Sequence, residues 1–329
     1  MHIKDTPGTT LSLKRYALLL VALGVLTITA LTGCDRREYK EMDLTERIDD
    51  AELGPAAPNG DNDALRFGFD LRDSPDEDAR QYLPLLKYLE QATGLPFELR
   101  FTTAGTTAVE MLGTGEFDFA AVGAGSYLEA RARFGITPLV RGLNAEGRPE
   151  YQSVIIVAPD SPIRKIEDLR GKSFAFSCVH SAQGHLIPRI ILAEHGMSLD
   201  DLVLLKYTGS YQNCANAVAA GRFDAGGVQD ILGRRLAAEG FVRIIHTSEF
   251  YPSSSIAANR DVPEEVIQKV KQALLNFQPT GAHAEGLYHW DRTEMAGGFS
   301  EARDEEYAEL REWSIRFGLL DAPARGDAQ

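Results

Sequence analysis

From Leu65 onward, short apolar runs alternate with longer stretches whose apolar residues recur at helical spacing. "LRFGFDL" reads as a strand. In "DARQYLPLLKYLEQATG", Leu83, Leu86, Tyr88 and Leu89 fall near one face and Gly94 suits a C-cap, which predicts an amphipathic helix. "LPFELRFTT" is the next strand, "TAVEMLGTG" a short helix closed by glycines, and "FDFAAVGA" an apolar strand. This βαβαβ order predicts a mostly parallel sheet covered by helices on both faces.

The pattern then repeats. "YQSVIIVAP" carries β-branched residues at Val154, Ile155, Ile156 and Val157 and reads as a strand. "SPIRKIEDLRGK" is a turn and short helix, and "SFAFS" a strand. "SAQGHLIPRIILAEHG" is a helix with Pro188 in its first turns, where a missing N–H costs little. "LVLLKYTG", "SYQNCANAVAAG" and "FDAGGV" continue as strand, helix and strand, and "FVRIIHTS" is a further strand. "SSSIAANRDVP" reads as a return segment. "PEEVIQKVKQALLNF" opens with Pro263 and two glutamates, which suits a helix N-terminus, and "DEEYAELREWSIRFGLL" is an amphipathic helix.

One internal echo ties the halves together: Gly115, Phe117 and Asp118 in "GTGEFDFAAVGA" match Gly221, Phe223 and Asp224 in "AAGRFDAGGVQD". Two α/β lobes of similar build follow. Residues 65–153 with 248–329 form lobe 1, and residues 154–247 form lobe 2. A ligand in such sheets lies beyond the carboxyl ends of the strands.

The start of the chain is of another kind. Lys4, Lys14 and Arg15 precede "YALLLVALGVLTITA", a 15-residue apolar run, short of the about 20 residues a transmembrane helix needs. Basic residues before a short apolar core predict an export signal over 1–33. It ends in "LTGC", which resembles the bacterial lipobox and implies lipidation of Cys34; Asp35 resembles an inner-membrane retention signal. Residues 34–64 are charged and poor in apolar positions, as a flexible tether is. The expected location is the periplasmic or extracytoplasmic face of a membrane.

The whole chain carries −14; the first 33 residues contribute +2 (Lys4, Lys14 and Arg15 against Asp5), leaving −16 on the remainder. Such a chain is a poor partner for nucleic acid. Cys178 and Cys214 remain after Cys34, and an even pair in an oxidising compartment reads as a disulfide. Two reduced thiols holding a thiophilic ligand, or one catalytic thiol, are the alternatives; no orienting acid beside His180 supports the latter.

Candidate chemistry gathers in "FSCVHSAQGHLIPR". Ser181 is placed to cap the following helix. The amides of Ala182, Gln183 and Gly184 would then face an anion, with Ser181 and Gln183 adding side-chain donors and His180 flanking them. Cys178, His180 and His185 fit no common zinc spacing, so neither metal nor cofactor is expected. Thr102, Thr103, Thr106 and Thr107 crowd a strand-to-helix turn of lobe 1. Gly123 and Ser126 lie at another strand end. Tyr211 opens a lobe 2 helix, and Asp230 could pair an amine.

Five stretches in order resemble the phosphate/phosphite/phosphonate-binding proteins of ABC transporters: "LRFGFDLRDSPDEDARQYLPLLKYLEQATG", "GEFDFAAVGAGSYLEARAR", "YQSVIIVAPDSPIRKIEDLRGKSFAF", "GRFDAGGV" and "GGFSEARDEEYAELREW". The resemblance implies a type II periplasmic-binding fold with two crossovers and a cleft that closes on its ligand. It also implies a monomeric, non-enzymatic solute-binding component that delivers a small anionic ligand to an ABC permease. The lining departs from the family. Ser181-Ala182-Gln183-Gly184 stands where the family has a Ser-Thr-x-Ser-type loop, Tyr211 stands where it has a histidine, and two lobe 1 tyrosines are absent near Gly105 and Val122. A sensor partner of a membrane histidine kinase, a thiol-dependent enzyme on the same fold and a structural lipoprotein are the other function classes, the last disfavoured by the polar residues at strand ends.

Overall fold

The computed structural model describes residues 64–321 apart from 71, 73 and 104. The expected export signal, Cys34 and the tether up to residue 63 fall outside them.

β1 (Leu65–Phe69) leads into α1 (Pro75–Thr93), which Ser74 caps by accepting from Glu77 N at 3.3 Å and which ends at Gly94 in the left-handed region, φ +69°. α1 buries Tyr82, Leu85, Leu86 and Leu89; Leu83, expected on that face, is exposed and Leu85 takes its place. β2 (Phe97–Leu99), α2 (Ala108–Thr114), β3 (Phe119–Val122), α3 (Ala124–Phe134) and β4 (Thr137–Leu143) complete the first run. After β5 (Glu150–Tyr151) come β6 (Ser153–Val157), β7 (Ser173–Phe176), α4 (Ile187–Glu194) and β8 (Leu204–Tyr207). α5 (Tyr211–Ala219), β9 (Ala225–Gln229), α6 (Asp230–Ala238) and β10 (Arg243–Thr247) follow. The chain closes with β11 (Tyr251–Pro252), β12 (Ser255–Ala258), α7 (Glu264–Leu275), β13 (Gly298–Glu301) and α8 (Ala308–Arg316).

The strands form two principal sheets, ordered β13-β4-β12-β3-β1-β2 and β10-β6-β9-β7-β8. In each, three adjacent strands pair in parallel, as the βαβ order leads one to expect: β2, β1 and β3 in the first, β8, β7 and β9 in the second. The strands that arrive from the opposite lobe run against them. β12 lies antiparallel to β3 and β4, and β6 antiparallel to β9, so each sheet is mixed. β5 and β11 pair with each other alone, Tyr251 opposite Tyr151, where the chain passes between the sheets in both directions.

The return segment "SSSIAAN" is thus a central strand. Its short side chains are all buried between two neighbours that crowd it. β4 contains Pro138 and Gly142, and such residues mask a strand in the sequence. Pro138 sits at a register shift against β12, where its missing donor is tolerated.

The sequence echo has one physical job in both lobes. Asp118, just before β3, accepts from Arg66 N at 2.7 Å at the start of neighbouring β1. Asp224, just before β9, accepts from Ser173 N at 2.8 Å at the start of neighbouring β7. Gly115 (φ +81°) and Gly221 (φ +68°) make the left-handed turn that delivers each carboxylate there.

The turn that opens into α4 shows a second consequence of local chemistry. Residues 182–186 wind as a wide π-turn before α4 begins at Ile187. Pro188 has no N–H for the carbonyl of Gly184 and its ring crowds that carbonyl. The carbonyl turns away and accepts instead from Ser177 N, at 3.0 Å, at the end of β7. Gly227 on β9 leaves room for the proline ring: a Cβ there would sit 2.4 Å from Pro188 Cγ.

Candidate functional site

The carboxyl ends of β1, β3, β7 and the loop before α5 converge on a cavity of about 220 Å³. Its lobe 2 wall is the stretch singled out above. Ser181 Oγ accepts from Gly184 N at 2.9 Å and meets Tyr211 Oη at 2.8 Å, so the cap of one helix is tied to the first residue of the next. Ala182 and Gln183 line the cavity as the first two helical residues, whose N–H groups a helix leaves without internal partners. Gly184 does not line it. Its amide is spent on the cap, and a Cβ there would press 2.3 Å from Ser177 Oγ.

Gln183 is fixed from several sides. Its Nε2 donates to the Gln152 carbonyl at 2.8 Å and faces Asp230 Oδ1 at 3.3 Å, while its own carbonyl accepts from Ser153 Oγ at 2.6 Å. The amide nitrogen, expected to serve a ligand, is therefore consumed, and Oε1 is left buried without a partner among the described residues. Asp230 stands behind Gln183 rather than in the wall; burial first and the Glu294 charge second push its carboxyl up to about 6.

Thr106, Gly123 and Ser126 join the cavity from lobe 1, with Thr102 and Thr107. Thr103 does not: it is exposed and bonds Thr106, Oγ1 to Oγ1 at 3.0 Å. Thr107 belongs mainly to a capping box with Glu110 on α2. His180 lines the cavity and reaches across to lobe 1, where its Nδ1 lies 2.6 Å from Glu129 Oε2 on α3. That hydrogen bond is the main reason His180 titrates above its ordinary value and Glu129 below its own. Beside it the lobes touch through backbone: a Cβ on Gly125 would lie 2.2 Å from the His180 carbonyl.

The Cys178–Cys214 bridge expected from the sequence is not formed; both thiols are free. Cys214 points under the sheet toward the Ala175 carbonyl at 3.2 Å, whereas Cys178 lies in the cavity wall, past the end of β7. Burial pushes their thiols up to about 12 and about 11, away from the thiolate a nucleophile needs. His185 is enclosed between the Val179 carbonyl and Tyr207 Oη, and burial lowers it to about 4, a neutral packing histidine.

The charged residues of the cavity escaped the sequence reading. Asp70 and Arg72 follow β1 directly, and Glu294 comes from the irregular segment before β13. Arg72 Nη1 pairs with Glu294 Oε2 at 3.0 Å, and Ser254 Oγ hydrogen-bonds the same carboxylate oxygen. Arg72 Nη2 is buried and has no partner among the described residues. Asp70 accepts from Gly123 N at 2.8 Å, but its burial outweighs that bond and raises its carboxyl above the usual range. Tyr151, from the connecting strand β5, also lines the cavity. The signal that could have found Asp70 and Arg72 is position: they sit just past a strand's carboxyl end, as Ser126 and Ser181 do.

Two sheets joined by paired crossing segments, with a cavity at their strand ends, define the architecture of a two-lobed solute-binding protein. The chain matches the family model for the periplasmic substrate-binding protein of phosphonate ABC transporters over residues 67–307, and it belongs to that family. It is 25% identical over 238 residues to the phosphonates-binding periplasmic protein of Escherichia coli (strain K12), covering 69% of this chain and 70% of that one. It is 29% identical over 206 residues to the phosphate-import protein PhnD of Mycolicibacterium smegmatis, covering 58% and 64%. The fold is that of PhnD1 from Prochlorococcus marinus (MIT 9301), solved in complex with methylphosphonate: TM-score 0.68, 18% identity, 78% of this chain and 99% of that chain. The protein is a substrate-binding component of a phosphonate-type ABC importer.

Proposed function

We propose that the protein captures a small oxyanion of the phosphonate class in the cavity between its lobes and hands it to a membrane permease. On this reading the bodies 65–153 with 248–329 and 154–247 move about β5 and β11. The chain is exported and held at the membrane by a lipid on Cys34, and it works as a monomer without enzymatic activity. The observation that carries the reading is Arg72, a guanidinium in the cavity lining whose buried Nη2 has no acceptor among the described residues. A buried donor of that charge is costly to leave unmatched, and a ligand oxyanion matches it. The first-turn amides of Ala182 and Gln183 and the helix N-terminus favour the same charge. Ser181 and Tyr211 add hydroxyls.

Thermal shift of the full-length protein against phosphate, phosphite and alkylphosphonates tests this. Ligand at 100 times its dissociation constant adds about 2.7 kcal/mol of stability. A flat response to every oxyanion from folded protein would overturn the reading.

A further inference from the structure

A second chamber, of about 250 Å³, adjoins the cavity. Arg72 and Tyr211 line both, so the two chambers lie on either side of these side chains. α1 and the segment before β13 wall the outer chamber from lobe 1, and the starts of α5 and α6 wall it from lobe 2. Capture of a small head group in the inner cavity leaves it unused.

The charges of the outer chamber are unevenly matched. Its two carboxylates are both engaged. Glu77 holds His289 Nδ1 at 2.9 Å and Tyr288 Oη at 3.2 Å, and Asp78 Oδ2 accepts from Arg72 N at 2.9 Å. Arg235, on α6, and Arg292, from the segment before β13, are the reverse. They line the chamber from opposite lobes, both are exposed, and neither side chain has a hydrogen bond or ion pair among the described residues. The chain as a whole has 48 acidic side chains against 34 basic ones. This lining runs against that balance, with Arg72, Arg235 and Arg292 facing Glu77 and Asp78.

We infer that Arg235 and Arg292 form a second anion subsite, and that the cargo it serves is an oxyanion with another acidic group on its substituent. The head lies in the inner cavity and the far acid, a carboxylate or its like, in the outer chamber. A guanidinium matches such a group two hydrogen bonds at a time. Because the two arginines belong to opposite lobes, one acid bridges them as the lobes approach, a contact that a plain alkyl substituent cannot make. The net charge of −14 disfavours a more highly charged ligand, so tighter binding of one requires local cations. This deepens the oxyanion reading above and rests on it.

The test is calorimetric titration of the full-length protein with methylphosphonate and with carboxyalkylphosphonates of increasing spacer length, each set against the alkylphosphonate of the same length. The carboxylated ligand is expected to bind at least about fivefold tighter at one or more lengths, which two partly exposed ion pairs can supply. In the double variant Arg235→Gln, Arg292→Gln that preference falls toward unity, and the loss falls on the carboxylated ligand. Both side chains are exposed and bond nothing, so the double variant should melt as the wild type does. Equal or weaker binding of the carboxylated ligands at every length, or a preference that survives in the double variant, overturns the inference and leaves the oxyanion reading standing. No binding of any phosphonate by folded protein overturns both.

Discussion

Arg72 and Glu294 are a buried ion pair in the cavity wall whose two members have different parts in the proposed function, one meeting the ligand and one holding it there. Removing the arginine strips the cavity of its cation and also leaves Glu294 buried without its partner. Breaking such a pair from one side costs about 3–5 kcal/mol. Arg72→Met is therefore expected to lose ligand binding and to unfold at lower denaturant. Arg72→Met with Glu294→Gln should recover most of the stability and none of the binding. Urea melts of the three proteins check this; a double variant as unstable as the single one would show that Arg72 acts through something other than this pair. Ser181 has two roles, cap and Tyr211 partner, so Ser181→Ala should cost about 1 kcal/mol and weaken binding as well. A melt that does not move would argue that water replaces the cap.

At this scale the sequence was half legible. Ser181, Tyr211, Gly123 and Ser126 were readable because caps and glycines at strand ends have local signatures. Asp70 and Arg72 were hidden inside "FDLRDS", which reads equally well as a polar turn ahead of a capped helix. Glu294 comes from more than 200 positions further along, in a segment with no periodicity, and only the fold places it beside Arg72. Gln183 was visible as a polar residue, but which end of its amide is free depends on Gln152 and Asp230, and no spacing rule supplies that.

Among the elements, α3 and the loop before the π-turn decide how closely the lobes approach. Gly125 occupies the first turn of α3 against the His180 carbonyl, so even one added methyl collides with backbone. Gly125→Ala is expected to fold normally, since alanine favours a helix, but to bind at least about tenfold more weakly because the lobes are wedged apart. Small-angle scattering with ligand should then report an expanded particle. Unchanged affinity would mean that the contact is not needed for capture. The parallel strands were legible from β-branched runs and the Gly-x-Phe-Asp echo. β4 and β12 were not, because Pro138, Gly142 and a run of serines and alanines carry turn-like composition. Their strand identity is imposed by the neighbours they pair with, β3 above all.

For the molecule as a whole, the His180–Glu129 bond joins the lobes and responds to pH. His180 titrates above its ordinary 6.5 in the folded protein, so its contribution is complete below that value and is lost as pH rises through the raised one. Glu129 titrates below its ordinary 4.5, so its contribution is present above that and fades in stronger acid. The pair is thus strongest between 4.5 and 6.5. The melting-temperature gap between wild type and His180→Gln should be widest there and narrow at higher pH, and a gap that stays constant would sink the idea. The free thiols add a further expectation: reductant should leave the melting temperature of the unliganded protein unchanged, whereas a bridge would make it fall.

Tyr151 belongs both to the cavity wall and to one of the two short strands on which the lobes are joined. If the lobes move about β5 and β11 as proposed, cargo and axle share a side chain. A substituent long enough to push on that ring would then push on the pivot itself, and cargo size would become an angle between the lobes. A permease that docks across both lobes would meet a different footprint for each cargo, and transport could be graded by shape even among ligands held equally tightly.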